Sequence, residues 1–289
     1  MPNLTLVSPV VGYVIAGVFG AIIGSFLNVV IHRVPIEESI VFPNSRCPAC
    51  GGVIAFYDNI PVVSYAVLRA KCRHCKEHIS FRYPAVELLT AALFIGVAWH
   101  DGLSAALPFD LVFVSALLSL VFIDAEHMIL PNVITYPGIV FAVIARIVIP
   151  YLMGGPHFDD LPSLSQGALA NMPTWVVSLA GALIGALIGG GSLWLMGWTW
   201  EKLRGIEAMG LGDVKMMFMV GAYLGWRLTI LTIFIGVLGG SVIGILLMAR
   251  QRQRNMQMLL PFGVFLGLGA MAALLFGAPL VEWYAGQFR

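Results

Sequence analysis

Runs of about 20 apolar residues, the length that crosses a hydrocarbon core about 30 Å thick, recur eight times along this chain. They fall at 10–31, 84–100, 107–123, 130–151, 174–197, 211–225, 228–249 and 258–278. The sixth is the shortest. Only 11% of the residues are charged and 59% are hydrophobic, whereas a soluble domain carries about 25% charge. Mean hydropathy is +0.91. These features predict an all-α polytopic membrane protein of about eight transmembrane helices, in contact with lipid along most of its length. A net charge of +1 gives no ground for a nucleic-acid partner.

The charges that remain are arranged by side. Met1 to Val11 holds no Lys or Arg, so the basic start of a cleavable signal peptide is missing. The first positive charges follow the first apolar run, at His32-Arg33. With the N-terminus outside, one face collects Arg33 to Arg82, Lys202, Arg204, Lys215, Arg250, Arg252 and Arg254. The other keeps only Arg146, Arg227 and Arg289 of the 16 Lys and Arg. The positive-inside rule makes the first face cytosolic and the second external. Asp101, Asp110, Asp159 and Asp160 fall to the outer loops, and 152–173 reads as a plain outer connector. The glycine-dense run Gly185 to Ser192 reads as close helix–helix packing.

Residues 34–83 are the one substantial polar insertion, dividing the chain into a first helix (1–33), a small cytosolic domain (34–83) and a membrane domain (84–289). All four cysteines lie here, as Cys47-Pro48-Ala49-Cys50 and Cys72-Arg73-His74-Cys75. Each CxxC turn presents two thiolates on one side, and two such turns close a tetrahedral S4 site that suits structural Zn²⁺. Disulfides are the competing reading, disfavoured in a reducing cytosol. A dithiol redox pair would need only one CxxC. His74 and His78 are either substitute ligands or surface residues.

Two acids sit at the ends of apolar runs: Asp124 in Phe122-Ile123-Asp124-Ala125-Glu126, and Asp213 in Gly210-Leu211-Gly212-Asp213-Val214-Lys215. Carboxylates in such settings are costly, by about 2.5–3.5 kcal/mol at a helix centre. The topology places both at the cytosolic side. Two carboxylates sharing one proton can hydrolyse a peptide bond, one activating water and the other polarising the carbonyl. Gly210 and Gly212, lacking Cβ atoms, would let the backbone approach an extended substrate. Taken singly, Asp213 reads equally as a helix N-cap and Asp124 as a loop acid. Glu126 and His127 read as solvated. Glu87 is either polar glue between helices or a site residue, and Lys215 either snorkels to the interface or tunes Asp213. A proton- or ion-coupled transporter also fits intramembrane acids, though such proteins usually place acids deeper and in symmetric halves.

The ordered set of motifs resembles the bacterial type IV prepilin peptidases, the bifunctional leader peptidase/N-methyltransferases of pilus and type II secretion systems. The set comprises Gly24-Ser25-Phe26-Leu27-Asn28 through Arg33-Val34-Pro35, the paired CxxC, Tyr57-Asp58-Asn59-Ile60-Pro61, Arg82-Tyr83-Pro84 to Glu87, Asp124 with Pro131, and Gly210-Leu211-Gly212-Asp213 with Lys215. The resemblance implies that Asp124 and Asp213 are the catalytic aspartates. It implies that prepilin or pseudopilin leader peptides are cut at the cytosolic face, that S-adenosylmethionine methylates the new amine, and that the cysteine loop carries zinc. A peptidase without methyl transfer is the alternative. The chain departs from the family pattern at Ala70, where Gly is common, and at Val264, where Pro is common.

Overall fold

The structure is a computed structural model that describes residues 8–155, 157, 158, 160, 164, 165, 169, 171–205, 209–251 and 260–287. The first seven residues, Asp159, Arg252, Arg254 and Arg289, all invoked above, lie outside that set. Among the described residues the regular structure is helical, with two isolated β-bridges, Arg46 to Val53 and Lys71 to His78. The chain forms two compact units, Met1–Ser115 and Ala116–Arg289.

The first unit is built on an antiparallel pair, α1 (Pro9–Arg33) and α3 (Arg82–Asp101). Ser8 caps α1, its side chain accepting the Val11 N–H at 3.4 Å, and Pro9 stands at the first helical position, where its missing N–H has no cost. Gly12, Ala16, Gly20 and Gly24 recur every four residues and are all buried. That stripe lets the backbones meet: a Cβ at Gly20 would lie 2.8 Å from Ala91 Cα, and one at Gly24 2.7 Å from Glu87 Cα. Both ends of the intervening loop therefore emerge at one end of the pair. Within the loop stand a 3₁₀ turn, Phe56–Asn59, and a short helix, α2 (Val63–Val67).

The second unit continues from α4 (Leu107–His127), which begins in the first. It adds α5 (Asn132–Met153), α6 (Thr174–Ala186), a π-helical stretch (Leu187–Gly191), α7 (Ser192–Arg204), α8 (Leu211–Gln251) and α9 (Phe262–Gly286). Among the described residues, seven helical stretches are long and apolar enough to span a membrane. One of them, α8, is not a single rod. Gly225 has φ 78° and ψ 176°, and the chain doubles back there. Met217 O on one arm and Thr229 Cγ2 on the other both lie within 3.0 Å of where a Gly189 Cβ would stand, although a straight helix would hold them about 18 Å apart. The two arms are the sixth and seventh apolar runs of the sequence, so the expectation of about eight crossings holds.

The expected glycine packing is present: Gly185 and Gly221 meet backbone to backbone, and Gly190 lies against Phe218. Two acids assigned to the outer loops are buried instead: Asp110, in the first turn of α4 and 2% exposed, and Asp160. Asp160 is not an outer-loop surface acid but fully buried, as is Arg146. The Arg146 guanidinium donates to both Asp160 oxygens at 2.8 and 2.9 Å and to Ala222 O at 3.2 Å, and lies 4.1 Å from the centre of the Phe158 ring. The break at Gly225 leaves Ala222 O without its helical donor, and Arg146 supplies one. The connector is thus pulled inward because a buried cation on α5 requires a counter-charge.

Candidate active site and metal centre

Asp124 lies in the last turn of α4 and is 5% exposed, so it is a helical residue and not a loop acid. The helix stops just beyond it, at Met128, whose φ is 55°, and Pro131 then opens α5. Asp213 is the third residue of α8 rather than its N-cap, and is half-buried. The two acids meet at the start of α9. A Cβ built on Gly263 would stand 2.8 Å from Asp124 Oδ2 and 3.0 Å from Asp213 Oδ1. The Val264 N–H donates to Asp124 Oδ2 at 3.0 Å. Two helix N-termini, those of α8 and α9, thus face the pair, and their partial positive charge favours carboxylates.

Leu130 is the wedge of this arrangement. It approaches the Gly263 Cβ position at 3.0 Å, and its Cβ lies 2.9 Å from where a Gly212 Cβ would stand. Gly212 is therefore required by packing. Gly210 is not: among the described residues its Cβ would meet nothing nearer than Asp213 Oδ2 at 3.9 Å. Lys215 is engaged by α5, its Nζ donating to Asn132 Oδ1 at 2.9 Å and lying 5.1 Å from the centre of the Tyr136 ring. Gly263, Val264 and Leu130 were not singled out as site residues in the sequence. The signal was the Pro261-Phe262-Gly263 triplet, a glycine in the first turn of an apolar helix.

Glu87 belongs to the first unit. Buried at 8% exposure, its Oε2 accepts the Val62 N–H at 2.7 Å. That contact holds Val62 at φ 60°, a conformation a β-branched residue adopts only when its surroundings impose it. Glu87 is thereby an anchor between a membrane helix and the cysteine loop.

The four cysteines converge. Their sulfurs all lie within 4.8 Å of one another, and Cys47 Sγ is 3.8 Å from Cys75 Sγ. None is in a disulfide. Tetrahedral bonds of about 2.3 Å to a zinc ion place sulfurs about 3.8 Å apart, so the set fits a metal ion. The two knuckles repeat each other at an offset of 25 residues. Cys47 N–H donates to Gly52 O and Gly51 N–H to Cys47 O; correspondingly, Cys72 N–H donates to Glu77 O and Lys76 N–H to Cys72 O. Gly51 and Lys76 both have left-handed φ, 69° and 60°. Backbone N–H groups of Cys75 and His74 bring the Cys72 thiol down to about 6. Arg73, inside the second knuckle, clasps Asp58 through Nε and Nη2 at 2.7 and 2.5 Å, tying the Tyr57-Asp58-Asn59 segment to the metal centre.

Residues 18–101 match the bacterial peptidase A24 N-terminal domain, and residues 111–245 match the type IV leader peptidase family. The chain is 36% identical over 288 residues to a prepilin leader peptidase/N-methyltransferase of Pseudomonas aeruginosa, covering 92% of this chain and 90% of that one. It belongs to the type IV leader peptidase family. A second family member, from Myxococcus xanthus, is 41% identical over 231 residues, with 80% and 62% of the two chains covered. A third, from Stutzerimonas stutzeri, is 33% identical over 300 residues, with 96% and 95% covered. Both carry the name prepilin leader peptidase/N-methyltransferase. No solved structure matches the chain. The family's two matched segments divide this chain much as its motifs do, the cysteine loop and Glu87 in the first and both aspartates in the second.

Proposed function

We propose that the chain is a membrane aspartyl endopeptidase that removes the leader peptide of type IV prepilins or pseudopilins and then methylates the new N-terminal amine. The observation that carries this reading is the convergence of Asp124 and Asp213 on Gly263. Asp124 and Asp213 act as one unit. The ionised member takes a proton from water as the oxygen attacks the scissile carbonyl, and the protonated member donates to the carbonyl oxygen. The tetrahedral intermediate then collapses as the amide nitrogen leaves protonated. The chain works in the bacterial inner membrane with the site toward the cytosol, as the charge asymmetry implies.

Cys47, Cys50, Cys72 and Cys75 would hold Zn²⁺ with no open position, so the ion folds the 34–83 domain rather than reacting. The relatives' names also imply a methyl donor, S-adenosylmethionine, which supplies an electrophilic methyl group. The transfer is assigned to the chain and not to particular side chains.

Mass spectrometry of the N-terminus of a co-expressed prepilin tests both halves. Asp124→Asn and Asp213→Asn should each abolish leader removal, with the double variant scarcely worse, because residues acting as a unit are not additive. Glu126→Gln should remain active. Substantial cleavage by Asp213→Asn would overturn the aspartyl mechanism. A product that is cut but unmethylated would leave a peptidase alone.

A further inference from the structure

The cysteine loop carries an apolar edge that neither the metal nor the aspartates explain. Phe56 is 86% exposed and Val67 71%, with Ile60 and Val63 about half exposed beside them. These residues lie on the Phe56–Asn59 turn, on α2 and between the two. Ser64 holds them together, its hydroxyl donating to Tyr57 O and accepting the Ile60 N–H, both at 3.0 Å. In a polar loop such a patch marks a docking surface.

Two observations say what covers it. The first is depth. Glu87 is five residues into α3, a helix long and apolar enough to span the bilayer, hence about 7.5 Å from its start. Its bond to the Val62 N–H draws the residue preceding α2 down to the level of that first stretch. The Arg33 guanidinium turns the other end of the loop back over α1, donating to Ser39 O at 2.9 Å and Pro43 O at 2.8 Å. Phe81, Leu88 and Leu89 at the start of α3 are likewise exposed, so apolar surface stands on that helix at the same level too. The second is charge. The stretch that follows α2 carries Arg69, Lys71, Arg73, Lys76 and Arg82 against Glu77 alone. Of these, Arg69, Lys71 and Lys76 form no ion pair among the described residues.

We propose that Phe56, Ile60, Val63 and Val67 are seated in the headgroup–acyl boundary of an anionic lipid leaflet, with Arg69 and Lys71 on its phosphates. An apolar edge with cations beside it binds by the physics of interfacial helices: buried area sets the depth, and charge selects acidic lipid.

The test uses the full-length protein in nanodiscs of equal parts phosphatidylcholine and phosphatidylglycerol, carrying photoreactive benzoylphenylalanine at position 56, 67 or 74. Intact-mass spectrometry after illumination should show phospholipid adducts at 56 and 67 but not at 74, which lies in the second knuckle. Phosphatidylglycerol should predominate among them, and Arg69→Gln or Lys71→Gln should each cut that preference about fivefold. Crosslinks from 56 and 67 to other parts of the chain, or to a co-reconstituted prepilin, would overturn the proposal by showing a protein-covered face. Absence of lipid adducts at both positions would overturn it by showing a solvated one.

Discussion

Arg146 and Asp160 form a two-pronged ion pair from which water is wholly excluded. Removing one member leaves the other charged and alone, which costs about 3–5 kcal/mol in buried settings. Arg146→Gln and Asp160→Asn should therefore each lower the unfolding temperature of the detergent-purified protein by several degrees. Combining Arg146→Met with Asp160→Leu should recover much of that loss, though not the bond to Ala222 O. Tryptophan-detected melting of all three variants checks this; additive losses in the double variant would contradict it.

The two glycines flanking Leu211 should separate. Gly212→Ala drives a methyl into Leu130, while Gly210→Ala meets nothing nearer than 3.9 Å among the described residues. Gly263→Ala pushes directly between the two carboxylates, and a displacement on the order of 1 Å at a reacting group costs about a hundredfold in rate. Leader-cleavage rates should fall in the order Gly210→Ala, Gly212→Ala, Gly263→Ala, with the last slowed about a hundredfold and its metal content unchanged.

At Ala70 the backbone has φ 60°, a conformation that glycine adopts freely and alanine does not. The frequent glycine of the family pattern at this position thus has a conformational reason. Ala70→Gly should stabilise the loop by roughly 1 kcal/mol, read as slower proteolysis of residues 34–83 and slower loss of metal to a chelator.

Asp58 is held below the usual carboxylate range by its hydrogen bonds to Arg73. A carboxyl lowered by folding contributes stability that is present above its unfolded value, near 4, and is lost as pH falls through the lowered folded value. Proteolytic resistance of the loop should thus exceed that of Asp58→Asn at neutral pH, and the gap should close as pH drops below about 4. Because both partners are partly open to water, the gap is modest.

The length of the apolar runs made the crossings legible, and spacing alone made the cysteine cluster legible, because each CxxC is a local turn whose geometry hardly depends on the rest of the chain. The matched depth of Asp124 and Asp213 followed from counting crossings. What brings them together did not, since Gly263 lies 50 residues beyond Asp213 and a single glycine carries no signal of its neighbours. Asp160 was misread for a related reason. Acids in a plain connector are ordinarily solvated, and only the long-range position of Arg146 reverses that. Glu87 stayed ambiguous because its partner is a backbone N–H, which no side-chain pattern reveals.

The reversal at Gly225 sets a length. The arm from Leu211 to Leu224 is about 21 Å long, and the hydrocarbon film around it is about 30 Å thick. Its end at Gly225 is fixed by Arg146 and Asp160, so the shortfall of about 9 Å must appear as a dimple in the film or a wet recess. Peptide hydrolysis consumes a water molecule, which an oily interior does not supply. A helix too short for its membrane brings water to the aspartate it carries.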